Sequence, residues 1–316
     1  MRKLLALALV AGSMAAFAPA PAYAAYPERP VTAIVAWPAG GATDLVTRGM
    51  QEAFGRALGQ QLIVKNVVGA AGTIGTAEAA AAPADGYTVL FTPSGPTVAQ
   101  PHRMKLTYDI DSFEAICKLV EQPLVLMATK ATKFRTVADL VAAAKAEPGK
   151  ITYASSGPGS ITHLASLALE KAAGIQLKHV PYKGSADGVQ ALLSNTVDLF
   201  SEQGNIVPQY DLYPIAIYGE SRIENFKDTP TVREAGFDVV MTNYNGIFVP
   251  KGTPADVKAK LGHACKVALE DEKVKEIYAR QKYPIVYQDA AAFKAFVDED
   301  YKRVGELVRA AGLGKK

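Results

Sequence analysis

The chain has 316 residues and is poor in several things that would point to a chemistry. It holds two cysteines, Cys117 and Cys265, with no C-x-x-C pair and no Cys/His cluster, so no metal site is indicated. An excess of one charge is missing: 34 Lys and Arg face 31 Asp and Glu, for a formal net charge of +3. That balance gives no electrostatic footprint for nucleic acid. Catalytic motifs are missing too, with no H-E-x-x-H, no G-x-S-x-G and no G-x-x-x-x-G-K-[ST]. Gly69, Gly72 and Gly75 are not at the dinucleotide spacing, and Gly157-Pro158-Gly159 lacks the third glycine. There is no solenoid repeat and no low-complexity tract. The one long apolar run, Leu4 to Phe17, is too short to span a bilayer comfortably.

What is present begins with that run. Arg2-Lys3, the apolar stretch and the A-x-A site Ala22-Tyr23-Ala24 read as a secretory signal peptide, residues 1–24, cut after Ala24. No cysteine follows the cut, which argues against a lipid anchor. The expected product is exported and about 290 residues long, a length that suits two lobes rather than one core. Export makes a disulfide possible. However, Cys117 lies in the strand-like run 113–120 and Cys265 lies on a helix between Leu261 and Leu269. Buried thiols behave as small hydrophobes, and spacing alone does not set a Cα separation. Free thiols are expected at both positions.

The stretch Trp37-Pro38-Ala39-Gly40-Gly41-Ala42-Thr43-Asp44 organises the rest. The β-branched run Val31 to Ala36 precedes it, and Val46, Met50, Ala53, Phe54, Ala57 and Leu58 follow at helical spacing. It is therefore a tight turn between a buried strand and an amphipathic helix, with Thr43 as the expected N-cap. Free N–H groups and the positive end of the helix dipole suit an anion there. The glycines also have a blander reading, in which they only make the turn.

The pattern repeats down the chain. Gly69 to Thr73 and Thr92 to Thr97 read as two more loops after strands, and Ser155 to Ser160 as a fourth turn before the helix 161–173. Strands alternating with helices imply a parallel sheet, whose ligands bind beyond the carboxyl ends of the strands. The extended run 113–128, interrupted at Gln122-Pro123, fits a crossing between lobes, and 244–249 fits a return. Thr136 to Asp139 resembles a capping box, and Thr253-Pro254 an N-cap with proline at N1. Individual side chains carry two readings each. His163 is a packed histidine or a ligand contact. Glu202 is a solvated loop carboxylate or a cleft residue. Trp37 is core or pocket wall. Lys183 is a solvated loop lysine or a weak anion attractor.

Taken together, several runs carry a resemblance. They are Tyr26-Pro27-Glu28-Arg29-Pro30 with the first glycine turn, Gly69-Ala70-Ala71-Gly72-Thr73, Ala84-Asp85-Gly86-Tyr87-Thr88, Tyr153-Ala154-Ser155-Ser156-Gly157 with Ser160 and His163, His179-Val180-Pro181-Tyr182-Lys183-Gly184, and Val249-Pro250-Lys251-Gly252-Thr253-Pro254. The chain resembles the substrate-binding proteins of tripartite tricarboxylate transporters, the Bug (TctC-like) family, over essentially its whole mature length. The resemblance implies an α/β fold of the type II periplasmic binding-protein kind. Two α/β lobes, 25–119 with 245–316 and 120–244, would be joined by two crossing strands around a ligand cleft. It implies a periplasmic, monomeric receptor that captures a small carboxylate and hands it to membrane permease subunits, without cofactor, metal or catalysis. A receptor that serves a membrane sensor, and a periplasmic enzyme on the same scaffold, are the competing readings. The residues expected at the ligand are Trp37, Ala39, Gly40, Gly41, Thr43, Asp44, Thr73, Ser94 and Gly95 from one lobe. From the other come Ser155, Ser156, Gly157, Gly159, Ser160, His163, Glu202, Asn205 and Tyr244. The chain departs from the family pattern at Ser201-Glu202-Gln203-Gly204-Asn205, at Pro208 to Tyr213, and at Asn243 and Asn245, all at the distal end of the cleft.

Overall fold

A computed structural model describes residues 26–310 and 312–315. The expected signal peptide and its cleavage site lie outside the described residues. No helix among the described residues is long and apolar enough to cross a membrane.

The first half of the chain runs β1 (Val31–Val35), α1 (Ala42–Leu58), β2 (Leu62–Asn66), α2 (Thr73–Ala80), β3 (Thr88–Pro93), α3 (Gln100–Arg103) and β4 (Phe113–Ala128). Next come α4 (Val137–Ala146), β5 (Thr152–Ser155), α5 (Ile161–Ala173), β6 (Lys178–Pro181), α6 (Ser185–Leu193), β7 (Leu199–Gln203), α7 (Ile206–Gln209) and β8 (Tyr213–Ile217). The chain returns through β9 (Thr242–Pro250), α8 (Ala255–Glu270), α9 (Glu272–Arg280), β10 (Ile285–Gln288) and α10 (Ala290–Ala310).

The strands lie in the order β2-β1-β3-β9-β4-β7-β5-β6, with β8 and β10 also paired to β4. The flanks β2-β1-β3 and β7-β5-β6 are parallel, as the strand–helix alternation predicts. The middle is not. β9 and β4 run antiparallel to each other and to their neighbours, so the sheet is mixed. β4 pairs with β9 from Phe113 to Pro123 and with β7 and β8 from Leu124 to Ala128. One strand thus serves both lobes, and Pro123, which has no N–H to give, sits where it changes partners. β9 is the second crossing strand.

The helices bury the faces that their spacing predicts. Val46, Met50 and Phe54 of α1 are fully buried, each contributing roughly 1.5–3 kcal/mol relative to exposure. α8 packs over both α1 and β4, and this overturns the expectation for the cysteines. Cys117 is on a strand and Cys265 on a helix, as read, but the packing brings their Cα atoms to 6.7 Å and they form a disulfide. Secondary structure placed each cysteine; only helix-on-sheet packing set the distance between them.

Three local readings also shift. Ser94 to Ala99 is not an open loop but a buried helical turn, Gly95–Ala99. β7 runs on through Ser201-Glu202-Gln203, so those residues are strand and not loop. At α8 the cap position falls on Pro254, and the Thr253 hydroxyl instead donates back to the Pro250 carbonyl at 2.7 Å.

Candidate ligand-binding cleft

β1 delivers the chain into the first glycine turn. Gly40 takes φ +78°, a left-handed conformation that glycine adopts without steric cost. Gly41 is the N-cap of α1, and no side chain caps it. Thr43 is therefore the second residue of the helix rather than its cap, because the flexible pair lets the helix begin two residues earlier. Asp44 is consumed by the turn itself. Its carboxylate accepts the Gly40 N–H at 2.9 Å, Arg48 Nε at 2.9 Å and Asn66 Nδ2 at 2.9 Å. Burial alone would raise its pKa, but these donors hold the carboxyl below the usual range.

The serine turn is built in the same way. Ser160 caps α5 by accepting the His163 N–H, and its hydroxyl donates to the Gly157 carbonyl at 2.7 Å. Ser155 Oγ meets His179 Nε2 at 2.6 Å, and the Gly159 N–H donates to His163 Nδ1 at 2.9 Å. The two imidazoles stack with centroids 3.9 Å apart. Burial holds both below the ordinary histidine pKa, and for His163 the neighbouring His179 and Arg103 add to it. A third helix, α6, starts at Ser185 behind an uncapped Gly184.

These three helix starts converge on one narrow cleft. Its wall comprises Trp37, Pro38, Gly41, Ala42 and Thr43, then Pro93 and Gly95 from the end of β3. Ser156, Ser160, Ile161 and Thr162 follow, with Ser185 and Ala186, Glu202 of β7 and Asn243 of β9. The two sides touch. Gln100 Nε2 and Arg103 Nη1 both donate to the Pro158 carbonyl, at 2.9 and 2.6 Å. The described wall includes no lysine or arginine, and its only charged type is Glu202.

Of the residues expected at the ligand, Trp37, Gly41, Thr43, Gly95, Ser156, Ser160 and Glu202 line this cleft. The others do not. Ala39 and Gly40 are on the exposed side of the turn. Asp44 is locked to Arg48. The Thr73 hydroxyl donates to the Ala70 carbonyl at 2.9 Å, and the Ser94 hydroxyl lies 3.4 Å from Asn243 Oδ1. Ser155, Gly157, Gly159 and His163 form the interior of the serine turn. Asn205 accepts from Gln122 at 3.1 Å. Tyr244 stacks edge-on against Phe293 and Phe296, at 5.5 and 5.3 Å. Adjacent residues of a strand face opposite ways, so the neighbour Asn243 reaches the cleft instead. Ser185 and Thr162 were also missed. Both follow from the rule already used, since each sits in the first turn of a helix that starts just after a strand.

Glu202 is not a solvated loop carboxylate. It is 1% exposed, accepting from Ser185 Oγ at 2.5 Å and from the Gln203 N–H at 2.9 Å, with Ser156 Oγ at 3.5 Å. Trp37 Nε1 is buried and has no protein partner, an unusual state for an indole N–H and one that an acceptor in the cleft would relieve.

Comparison with known proteins places this geometry. Residues 46–313 match the family model described as the tripartite tricarboxylate transporter family receptor. Protein BugT of Bordetella pertussis is 30% identical over 299 residues, covering 92% of each chain. The solved periplasmic binding protein BugD is 31% identical with a TM-score of 0.85, covering 92% of this chain and 100% of BugD. MatC from Rhodopseudomonas palustris, solved with bound malate, is 26% identical with a TM-score of 0.83, covering 90% of this chain and 100% of MatC.

Proposed function

Since this chain belongs to the tripartite tricarboxylate transporter receptor family, we propose that it is a periplasmic receptor that captures a small carboxylate between its lobes and delivers it to the membrane permease of such a transporter. The lobes in this reading are 25–119 with 245–316 and 120–244. One observation carries it. Three helix N-termini meet in a cleft walled by hydroxyls and no cation. Unpaired N–H groups and aligned dipoles hold a carboxylate without an arginine. The orphaned Trp37 N–H and the malate in MatC support the same reading.

A thermal-shift screen of mono-, di- and aromatic carboxylates, malate among them, tests it. Ligand at a hundredfold excess over Kd stabilises the native state by about 2.7 kcal/mol. Calorimetry on variants then tests how the anion is held. Thr43→Ala removes a hydroxyl from the cleft wall, and where that hydroxyl bonds a carboxylate the loss is about 1.5–3 kcal/mol, roughly ten- to a hundredfold in Kd. Gly41→Val puts a branched side chain into the approach and should abolish binding; its melting temperature separates that effect from misfolding. Gly40→Val is the weaker probe, since a Cβ there meets nothing within 4 Å. Lys183→Ala, at an exposed residue, should change little. If no carboxylate shifts the melting point, or if Lys183→Ala alone abolishes binding, the reading fails.

A further inference from the structure

Glu202 is the anomaly of this cleft. A site proposed to hold an anion has, as its one ionisable wall residue, a carboxyl group. It sits mid-wall on β7 and is 1% exposed. Every donor that reaches it is neutral: the Ser185 hydroxyl, the Gln203 N–H and, at the limit of a hydrogen bond, the Ser156 hydroxyl. Among the described residues no lysine or arginine lines the cleft, Lys183 is exposed and Arg48 is committed to Asp44. A buried carboxylate without a cation is costly, and a second carboxylate brought beside it adds like-charge repulsion. The start of α6, where Ser185 sits, offsets part of the burial. It does not offset the arrival of the ligand's charge.

We infer that the cleft takes up its carboxylate together with a proton, carried by Glu202 as a neutral acid that donates its O–H to the ligand's distal oxygen. The inference rests on the carboxylate reading above. It balances simply: one proton comes from solvent, no covalent bond forms, and the added charge in the cleft is that of the ligand less one. It also gives Glu202 a purpose, since a protonated carboxyl is a donor in a wall otherwise built of hydroxyls and N–H groups. Two carboxyl groups sharing one proton is the general outcome when like charges meet in a dry site.

Burial already pushes the Glu202 carboxyl above its usual range in the ligand-free cleft. The titratable groups around it are few. Tyr283 faces it, with a hydroxyl donating to the Ala42 carbonyl at 3.3 Å and a pKa pushed up by its own burial and then by Glu202. Behind the serine turn His163 and His179 are held low, so they stay uncharged at and above neutral pH. At the start of α1 the Asp44–Arg48 pair is closed on itself, and on α6 Asp187 is exposed. Arg103 is bound to the Pro158 carbonyl. Glu202 is therefore the group expected to exchange a proton on binding.

The experiment is malate titration of the mature full-length chain by calorimetry, in two buffers of different ionisation enthalpy, from about pH 6 to 8.5. If malate gives no heat, the carboxylate that does so in the screen replaces it. Wild-type protein should take up close to one proton at the alkaline end and weaken with rising pH, approaching tenfold per unit. Glu202→Gln, which keeps the shape and a donor, should take up no proton on binding and lose the pH dependence. In parallel, carbon-13 NMR of the glutamate carboxyls, with Glu202→Gln assigning the signal, should find Glu202 protonated near neutrality in the complex. A bound carboxylate with no proton uptake, an ionised Glu202 in the complex, or a tenfold or greater loss in Glu202→Gln overturns the inference and leaves the carboxylate reading standing. Failure of every carboxylate to bind overturns both.

Discussion

His163 and His179 show how a residue that looks functional can serve the site from behind it. Their rings stack 3.9 Å apart under the serine turn, one receiving the Gly159 N–H and the other meeting Ser155 Oγ. Neither lines the cleft. Desolvation disfavours their charged forms and holds both imidazoles below the ordinary histidine range in the folded chain. The sign of the consequence follows. The unfolded chain binds these protons more readily, so the pair's contribution is fully present above about pH 6.5 and is lost as pH falls through the lower folded values. Glu170, Glu202 and Asp300, whose carboxyl pKa values are raised by burial, act in the opposite sense. The prediction is therefore comparative. Urea midpoints followed from neutral pH into the acid range should fall more steeply for wild type than for His163→Gln. Equal slopes would mean that the pair is not held neutral. From sequence, His163 could be placed just after a serine turn, but the direction of its ring could not.

Helix boundaries were among the more legible features, because the signals are local. Thr136 caps α4 through the Asp139 N–H at 3.0 Å, while Asp139 returns a bond to the Thr136 N–H at 3.0 Å, as the spacing predicts. Gly174 ends α5 in a left-handed conformation, which glycine adopts at low cost. Thr136→Ala should cost about 1 kcal/mol of stability, within the range of roughly 0.5–2 for lost caps, read as a lower urea midpoint at unchanged slope. A change below measurement error would show that solvent satisfies the freed N–H equally well. Where the local signal is weak the reading slipped. α8 breaks from α9 at Asp271, which caps the new helix by accepting the Val274 N–H. No glycine or proline marks that break, and α9 and the short β10 behind it went unread. In α10 the spacing alone marks the inward face, with Phe293, Val297, Val304 and Val308 buried.

For the whole molecule, the decisive features are the two crossing strands and the covalent link beside them. The Cys117–Cys265 disulfide joins β4 to α8 at a sequence separation of 148, a span that holds all of β5 to β9. Closing so long a loop limits the unfolded chain, and removing a native disulfide typically costs about 2–5 kcal/mol. The Cys117→Ser, Cys265→Ser double variant should lose stability of that order, while mass spectrometry of unreduced protein should find the two peptides linked. Two free thiols in the folded protein would show that this staple does not form. Gln100 and Arg103 both donate to the Pro158 carbonyl and so tie α3 to the serine turn.

The sequence by itself determined what depends on neighbours along the chain. Alternating strands and helices, the left-handed Gly40, the Ser160 cap and the proline in the long extended run can be read from a few residues each, because period and turn chemistry are short-range effects. Together they located the first glycine turn and the serine turn, both of which line the described cleft. Only the tertiary structure decided what depends on distance and direction. It placed Asn243 rather than Tyr244 in the wall, because strand alternation fixes opposite faces but not which face meets the cleft. It extended β7 through Glu202, because pairing with β4 holds Ser201 to Gln203 as strand although their polarity reads as loop. It joined Cys117 to Cys265, because helix-on-sheet packing set a distance that two positions 148 apart in sequence do not encode locally.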